Sequence, residues 1–128
     1  MKNKSIKARQ HYYFLGRQYA EENKIEKAIE TYKIYSTHLA EENEHTPYHW
    51  ISTLYDKLGE KEKSLDSLSQ YAKGCSSPKA ADLYKEIGKS YIDLNLVDKA
   101  IISFEKSLKI DPENVLIKKV ETLKNLVK

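Results

Sequence analysis

The chain has 128 residues, which sets a single domain as the expectation, and at this size folding buries roughly 68% of the unfolded surface without help from a metal or a disulfide. Charged residues make up 32% of it, with 22 Lys and Arg against 19 Asp and Glu, and ten tyrosines set it apart from disordered segments. Four glycines and three prolines are too few for the turns of an all-β domain, one cysteine excludes an internal disulfide, and no apolar run approaches the ~20 residues of a membrane span.

Residues 1–8 form a basic N-terminal extension carrying Lys2, Lys4 and Lys7. No apolar run follows it, so it lacks the form of a secretory leader, and a cytoplasmic protein is the expectation. Beyond it, apolar spacing predicts helices over 7–22, 25–41, 46–58, 61–73, 78–94, 97–109 and 112–126. Tyr12, Leu15 and Tyr19 share one face of the first, and Ala28, Tyr32 and Tyr35 one face of the second. Between them lies the turn Glu22-Asn23-Lys24, and Gly59-Glu60 and Asn95 mark equivalent turns. Asn and Gly are the residues that end helices in the left-handed conformation. Thr46-Pro47, Ser77-Pro78 and Asp111-Pro112 each place a capping side chain before a proline at the expected first helical position. Gly74 ends the helix before it.

The strongest signal is internal repetition at an offset of 36 residues. Tyr12, Tyr48 and Tyr84 align, as do Leu15, Ile51 and Ile87; Gly16, Ser52 and Gly88; Tyr19, Tyr55 and Tyr91. Asn23, Gly59 and Asn95 fall in one column, Lys27, Lys63 and Lys99 in another, and Ala28, Ser64 and Ala100 in a third. Small residues opposite one another let two helices approach, and large ones fill the gaps. One such hairpin cannot bury its apolar face alone, so several must stack. Val120, Leu123 and Val127 fall in the columns of Tyr84, Ile87 and Tyr91, which makes 115–128 a capping helix with Lys118, Lys119, Lys124 and Lys128 as its polar side.

These residues resemble the tetratricopeptide repeat family. The third copy carries the signature most fully, with Tyr84, Ile87-Gly88, Tyr91, Ala100, Phe104 and Pro112. The first gives Tyr12, Leu15-Gly16, Tyr19, Ala28 and Tyr32; the second gives Tyr48, Ile51-Ser52, Tyr55, Ser64 and Leu68. The resemblance implies an all-α helical-hairpin solenoid, a right-handed superhelix of seven helices, with repeats at 9–44, 45–80 and 81–114 before the capping helix. Two features depart from it. The period is 36 residues where the family keeps about 34. Tyr35 and Tyr71 stand where the family has alanine, so they are expected to push adjacent helices apart, whereas Ser107 fills that slot in the third copy.

In the family, the first helix of each hairpin lines a concave groove. Carried onto this chain, the inward residues are Tyr13 and Arg17, His49 and Thr53, and Lys85 and Lys89, with Ala20, Glu21, Asp56, Lys57, Ile92 and Asp93 in a second row. The family's chaperone-binding members clamp a C-terminal carboxylate on these columns. Lys85 and Lys89 match the third-repeat pair of that clamp in charge, while Tyr13, Arg17 and Thr53 do not match the rest. The resemblance implies a non-enzymatic adaptor or scaffold whose partner is a protein or peptide, acidic or C-terminal, held in a mildly basic groove. The plainer alternative is that Lys85 and Lys89 pair with Asp82, Glu86 or Asp93 on their own helix.

No glycine-rich phosphate loop, nucleophile elbow or metal-ligand cluster is visible, so neither catalysis nor a cofactor is expected. His45 and His49 have helical metal-pair spacing but lack a third ligand, and Cys75 reads as an incidental exposed loop thiol. Alternating charge behind the basic start, with Glu21, Glu22, Glu26 and Glu30, reads as solvated helix faces rather than a nucleic-acid surface, and no membrane partner is expected. Two further functional readings stand. The Tyr-rich hairpins also resemble the accessory tail of some bacterial family-2 glycosyltransferases. Tyr32, Tyr35 and Tyr71 would make a homodimer patch if they lay outside the fold.

Overall fold

The computed structural model describes residues 6–112 and 116–127. Among these residues all regular structure is helical: α1 (Ile6–Glu21), α2 (Ile25–Thr37), a 3-10 turn at Glu41–Asn43, α3 (Pro47–Lys57), α4 (Lys61–Lys73), α5 (Ser77–Asp93), α6 (Val97–Ile110) and α7 (Leu116–Leu126). The chain forms two compact units, residues 1–74 with α1 to α4 and residues 75–128 with α5 to α7.

The three hairpins close by one turn, repeated. Asn23 (φ 61°), Gly59 (φ 74°) and Asn95 (φ 61°) hold the left-handed conformation expected of them. Just beyond, the amides of Lys24, Glu60 and Leu96 donate back to the carbonyls of Tyr19, Tyr55 and Tyr91 at 2.8, 3.0 and 2.9 Å. The carbonyls of Lys24, Glu60 and Leu96 in turn accept from the amides of Ala28, Ser64 and Ala100, starting the second helix. The lysine column has a matching role. Lys27, Lys63 and Lys99 place their ammonium groups 5.8, 6.0 and 5.6 Å from the ring centres of Tyr19, Tyr55 and Tyr91.

The small-residue columns hold each hairpin together. A methyl group on Gly16 would sit 2.6 Å from the Tyr32 ring, and one on Gly88 would sit 2.6 Å from the Phe104 ring. Ala28 and Ala100 opposite them are wholly buried. In the second hairpin both small positions are serines, and their hydroxyls bond to each other at 2.9 Å. That pairing satisfies two buried polar groups at once. Burying a ring such as Phe104, itself fully enclosed, contributes about 1.5–3 kcal/mol. In the second unit Val120 and Leu123 of α7 are buried in the same columns as Tyr84 and Ile87. There Lys124 reaches Glu105 on α6 at 2.9 Å, and Lys119 lies over the Phe104 ring at 5.3 Å. These two lysines therefore tie α7 to α6 instead of forming only a solvated outer side, and Lys128 lies outside the described residues.

Several boundaries differ from expectation. The second helix ends at Thr37, not at residue 41, because hydroxyls capture the chain there: Thr37 donates to the Ile34 carbonyl and Ser36 to the Glu44 carbonyl, both at 2.6 Å. Neither Thr46 nor Ser77 acts as the expected cap. Thr46 already has helical angles (φ −54°, ψ −47°), which are wrong for capping. At α5 the cap position moves to Ser76, whose carbonyl accepts from Ala80, so Pro78 is the second helical residue. Pro112 stands in a turn ahead of α7, and residues 113–115 are outside the described set.

The serine pair makes a test of this packing. Ser52→Ala leaves the buried Ser64 hydroxyl without its partner and is expected to cost about 1–2 kcal/mol, while Ser52→Ala/Ser64→Ala removes both polar groups and costs less than the two single changes together. Urea unfolding followed by circular dichroism measures all three; simple additivity would exclude the coupling.

Candidate functional site

In the first unit, the columns expected to face a partner rise from α1 and α3. Tyr13 is half-buried, and Arg17, His49 and Thr53 are exposed. The Arg17 guanidinium lies 5.8 Å from the Tyr13 ring centre and 3.7 Å from the Glu21 carboxylate one turn on. With both side chains more than half exposed, at 53% and 72%, that ion pair is worth about 0–1 kcal/mol and leaves Arg17 available to a stronger acceptor. Thr53 is less available, because its hydroxyl donates to the His49 carbonyl on its own helix at 3.2 Å.

Aromatic rings support these residues from beneath. The Tyr35 ring lies 5.6 Å from Tyr13 and stacks at 14° on Trp50, with centres 6.2 Å apart. Trp50 also touches Tyr32 at 5.2 Å and Tyr13 at 5.9 Å. One hairpin later, Tyr71 lies 5.1 Å from His49 and 5.6 Å from His45. The tyrosines in the alanine slot thus each meet the first-helix column residue of the same hairpin, Tyr35 with Tyr13 and Tyr71 with His49. Where they were expected only to spread helices, the space beside Tyr35 is filled by Trp50. Tyr32 is buried and the other two are half-buried, so they do not form the exposed self-association patch considered above. Burial pushes the Tyr32 and Tyr35 phenols above their ordinary pKa, and neighbouring Tyr13 adds to the effect at both.

In the second unit the same columns carry Lys85, half-buried, and Lys89, exposed. Lys89 pairs with Glu86 at 3.5 Å on its own helix, as the plainer alternative anticipated. In this unit the tyrosine slot holds Ser107, which is not aromatic and donates to the Ala81 carbonyl at 2.8 Å.

Trp50 is the residue that comparing the repeats passed over. Its column holds Phe14, Trp50 and Glu86: the two rings are not continued in the third copy, so the column does not share one chemistry across all three repeats. Its being the chain's lone tryptophan was the available clue. Gly74 was expected simply to end a helix. It does follow α4, but at φ −96° it needs no glycine for its backbone. Instead the His45 imidazole lies where a side chain on Gly74 would stand. His45 and His49 accordingly pack against Tyr71, and no group of three metal-ligating side chains occurs among the described residues. Cys75 is half-buried rather than exposed. A separate cleft of about 430 Å³ runs past Glu41, Glu44, His45, Tyr48 and Lys73, with both signs of charge in its walls, and is not lined by Tyr13, Arg17, His49 or Thr53. No helix among the described residues is long and apolar enough to cross a membrane.

Residues 81–114 match the tetratricopeptide repeat family. No curated protein matches the chain by sequence. Among solved structures, the chain is similar to the first tetratricopeptide domain of Spaghetti (RPAP3) bound to the HSP90 peptide SRMEEVD, with a TM-score of 0.52 and 14% identity, covering 96% of this chain and 95% of that one. The resemblance read from the residues therefore holds. Residues 81–114 carry a tetratricopeptide repeat, and the all-α helical-hairpin fold of the chain is similar to that of a tetratricopeptide domain.

Trp50 joins α3 to the tyrosines of both helices of the first hairpin. Trp50→Ala is expected to destabilise the first unit by about 3 kcal/mol, the lower end for loss of a large ring because the indole is only half-buried. Hydrogen exchange should show protection falling in α1, α2 and α3 while α6 is unchanged.

Proposed function

We propose that the chain is a non-catalytic protein-interaction module that holds an extended peptide or a partner helix on the first-helix columns. The observation that carries this reading is the Arg17–Tyr13 pair set over the Tyr35–Trp50 stack. Rings fixed by packing lose little freedom on binding, and aromatic and arginine side chains are the usual anchors of affinity. The guanidinium gives a two-pronged donor to a carboxylate. At the equivalent repeat positions the second unit carries Lys85 and Lys89, also positive. Acidic side chains or a terminal carboxylate are the groups that match this set, and electrostatic attraction would speed their capture.

The similar domain of Spaghetti (RPAP3) has the HSP90 peptide SRMEEVD bound, which supports a peptide as the partner class. The mode proposed here is looser than the family's carboxylate clamp, because Tyr13 and the self-bonded Thr53 lack the amine and amide groups that clamp uses.

Trp50 supplies the readout, as the single tryptophan, 5.9 Å from the Tyr13 ring. Acidic peptides, with SRMEEVD and an amidated version of it among them, are titrated against its fluorescence. Arg17→Glu is expected to weaken binding about tenfold or more, and Lys85→Glu/Lys89→Glu to do likewise, with helicity intact and affinity falling as salt rises. Binding that survives both reversals at moderate salt would remove the columns as the site.

A further inference from the structure

One face of α1 carries a large exposed side chain, Phe14, whose ring meets its chain neighbour Tyr13 edge-on at 5.3 Å. Phe14 is 62% exposed. Its column equivalent, Trp50, is half-buried against Tyr32 and Tyr35 of the preceding hairpin. Phe14 has the position of a ring that packs on a neighbouring helix, and no helix lies over it among the described residues. The residues around it are Lys7, Gln10, Gln18 and Glu21, all exposed and all within about 40° of Phe14 on a helix of 3.6 residues per turn.

That face is complementary to itself. Lys7 and Glu21 each lie seven residues from Phe14, on opposite sides, and Gln10 and Gln18 each lie four residues from it. When two copies of α1 run antiparallel across a two-fold axis at Phe14, the two rings meet at the centre. Gln10 of each copy then meets Gln18 of the other, and Lys7 of each meets Glu21 of the other. A parallel pairing would set Lys7 against Lys7 and Glu21 against Glu21. The charge order along the helix thus selects both the partner, a second copy, and the direction.

We propose that α1 is a self-association surface on which two copies of this chain pair antiparallel about Phe14. The contact is isologous, so each favourable pair occurs twice. A single helix against a single helix lies at the small end of protein interfaces, so the dimer is weak and grows with concentration. The inference does not rest on the peptide-binding reading, although Phe14 touches Tyr13 and Glu21 pairs with Arg17, so sedimentation without added peptide is what separates the two.

Sedimentation velocity across a concentration series of the full chain tests it. Wild type should shift from monomer to dimer as concentration rises. Phe14→Glu should weaken the dimer at least about tenfold, because it sets two buried carboxylates against each other. Lys7→Glu and Glu21→Lys should each weaken it about threefold to tenfold, since each places two like-charged pairs across the axis. Lys7→Glu/Glu21→Lys should restore wild-type association. That last variant keeps the composition of charge unchanged and needs no rebuilding of the core. A chain that stays monomeric at every concentration would overturn the proposal and leave Phe14 to a different partner. A dimer indifferent to Phe14→Glu, or one that the double reversal fails to restore, would overturn it as well.

Discussion

Each hairpin depends on the close approach of its two helices at one small residue. In the first and third hairpins that residue is a glycine against an aromatic ring, Gly16 on Tyr32 and Gly88 on Phe104. Glycine inside a helix costs about 1 kcal/mol relative to alanine, yet a methyl at either place would overlap the ring. The packed ring contributes more than the glycine loses, so the contact wins. The second hairpin solves the same problem with other chemistry. Two serines face each other there and bond at 2.9 Å, which makes a polar pair as compact as the glycine–alanine pairs beside it in sequence. With the helices held this close, the left-handed turn residues and the lysines over Tyr19, Tyr55 and Tyr91 need only close the ends.

What the sequence made legible is what repeats. Asn23, Gly59 and Asn95 were readable because a left-handed backbone restricts residue type at a single position. The lysine column was visible before its purpose was, since a cation over a ring depends on a neighbour eight positions back. Features occurring once were harder. Trp50 has an aromatic counterpart in Phe14 but Glu86 in the third copy, so no three-copy column marks it, and the clasp of Ser36 on the Glu44 carbonyl is a local event inside an apolar pattern that continues through Leu39 and Ala40. Gly74 was read as a backbone device when its smallness serves the His45 ring. Periodicity reports which face is buried; it does not report which irregular side chain fills a gap.

The candidate site shows the same division. Its columns follow from helical spacing, but their character differs between the two units through the slot on the second helix. Tyrosine in that slot gives Tyr13 and His49 an aromatic floor. Serine in that slot bonds to the backbone and leaves Lys85 and Lys89 as a charged pair without one. The first unit therefore offers shape and flat contact area together with one guanidinium, and the second offers charge.

Net charge alone would have misjudged this surface. Of the 22 cations, Lys27, Lys63 and Lys99 cover tyrosine rings, Lys124 holds Glu105, and Lys33 sits on Tyr55. Burial alone would lower the pKa of the Lys33 ammonium. The Tyr55 phenol, with Glu30 and Tyr48 nearby, outweighs that and raises it, so the charge is held in place by its neighbours. These cations are engaged within the fold and contribute little to an incoming ligand. Arg17 differs in degree: its carboxylate partner, Glu21, is exposed and 3.7 Å away, a contact that a better-placed acceptor would displace at small cost. On the proposed reading, the selectivity of the surface would be set by which cations the tyrosines and carboxylates of the fold leave weakly held, not by the surplus of +3.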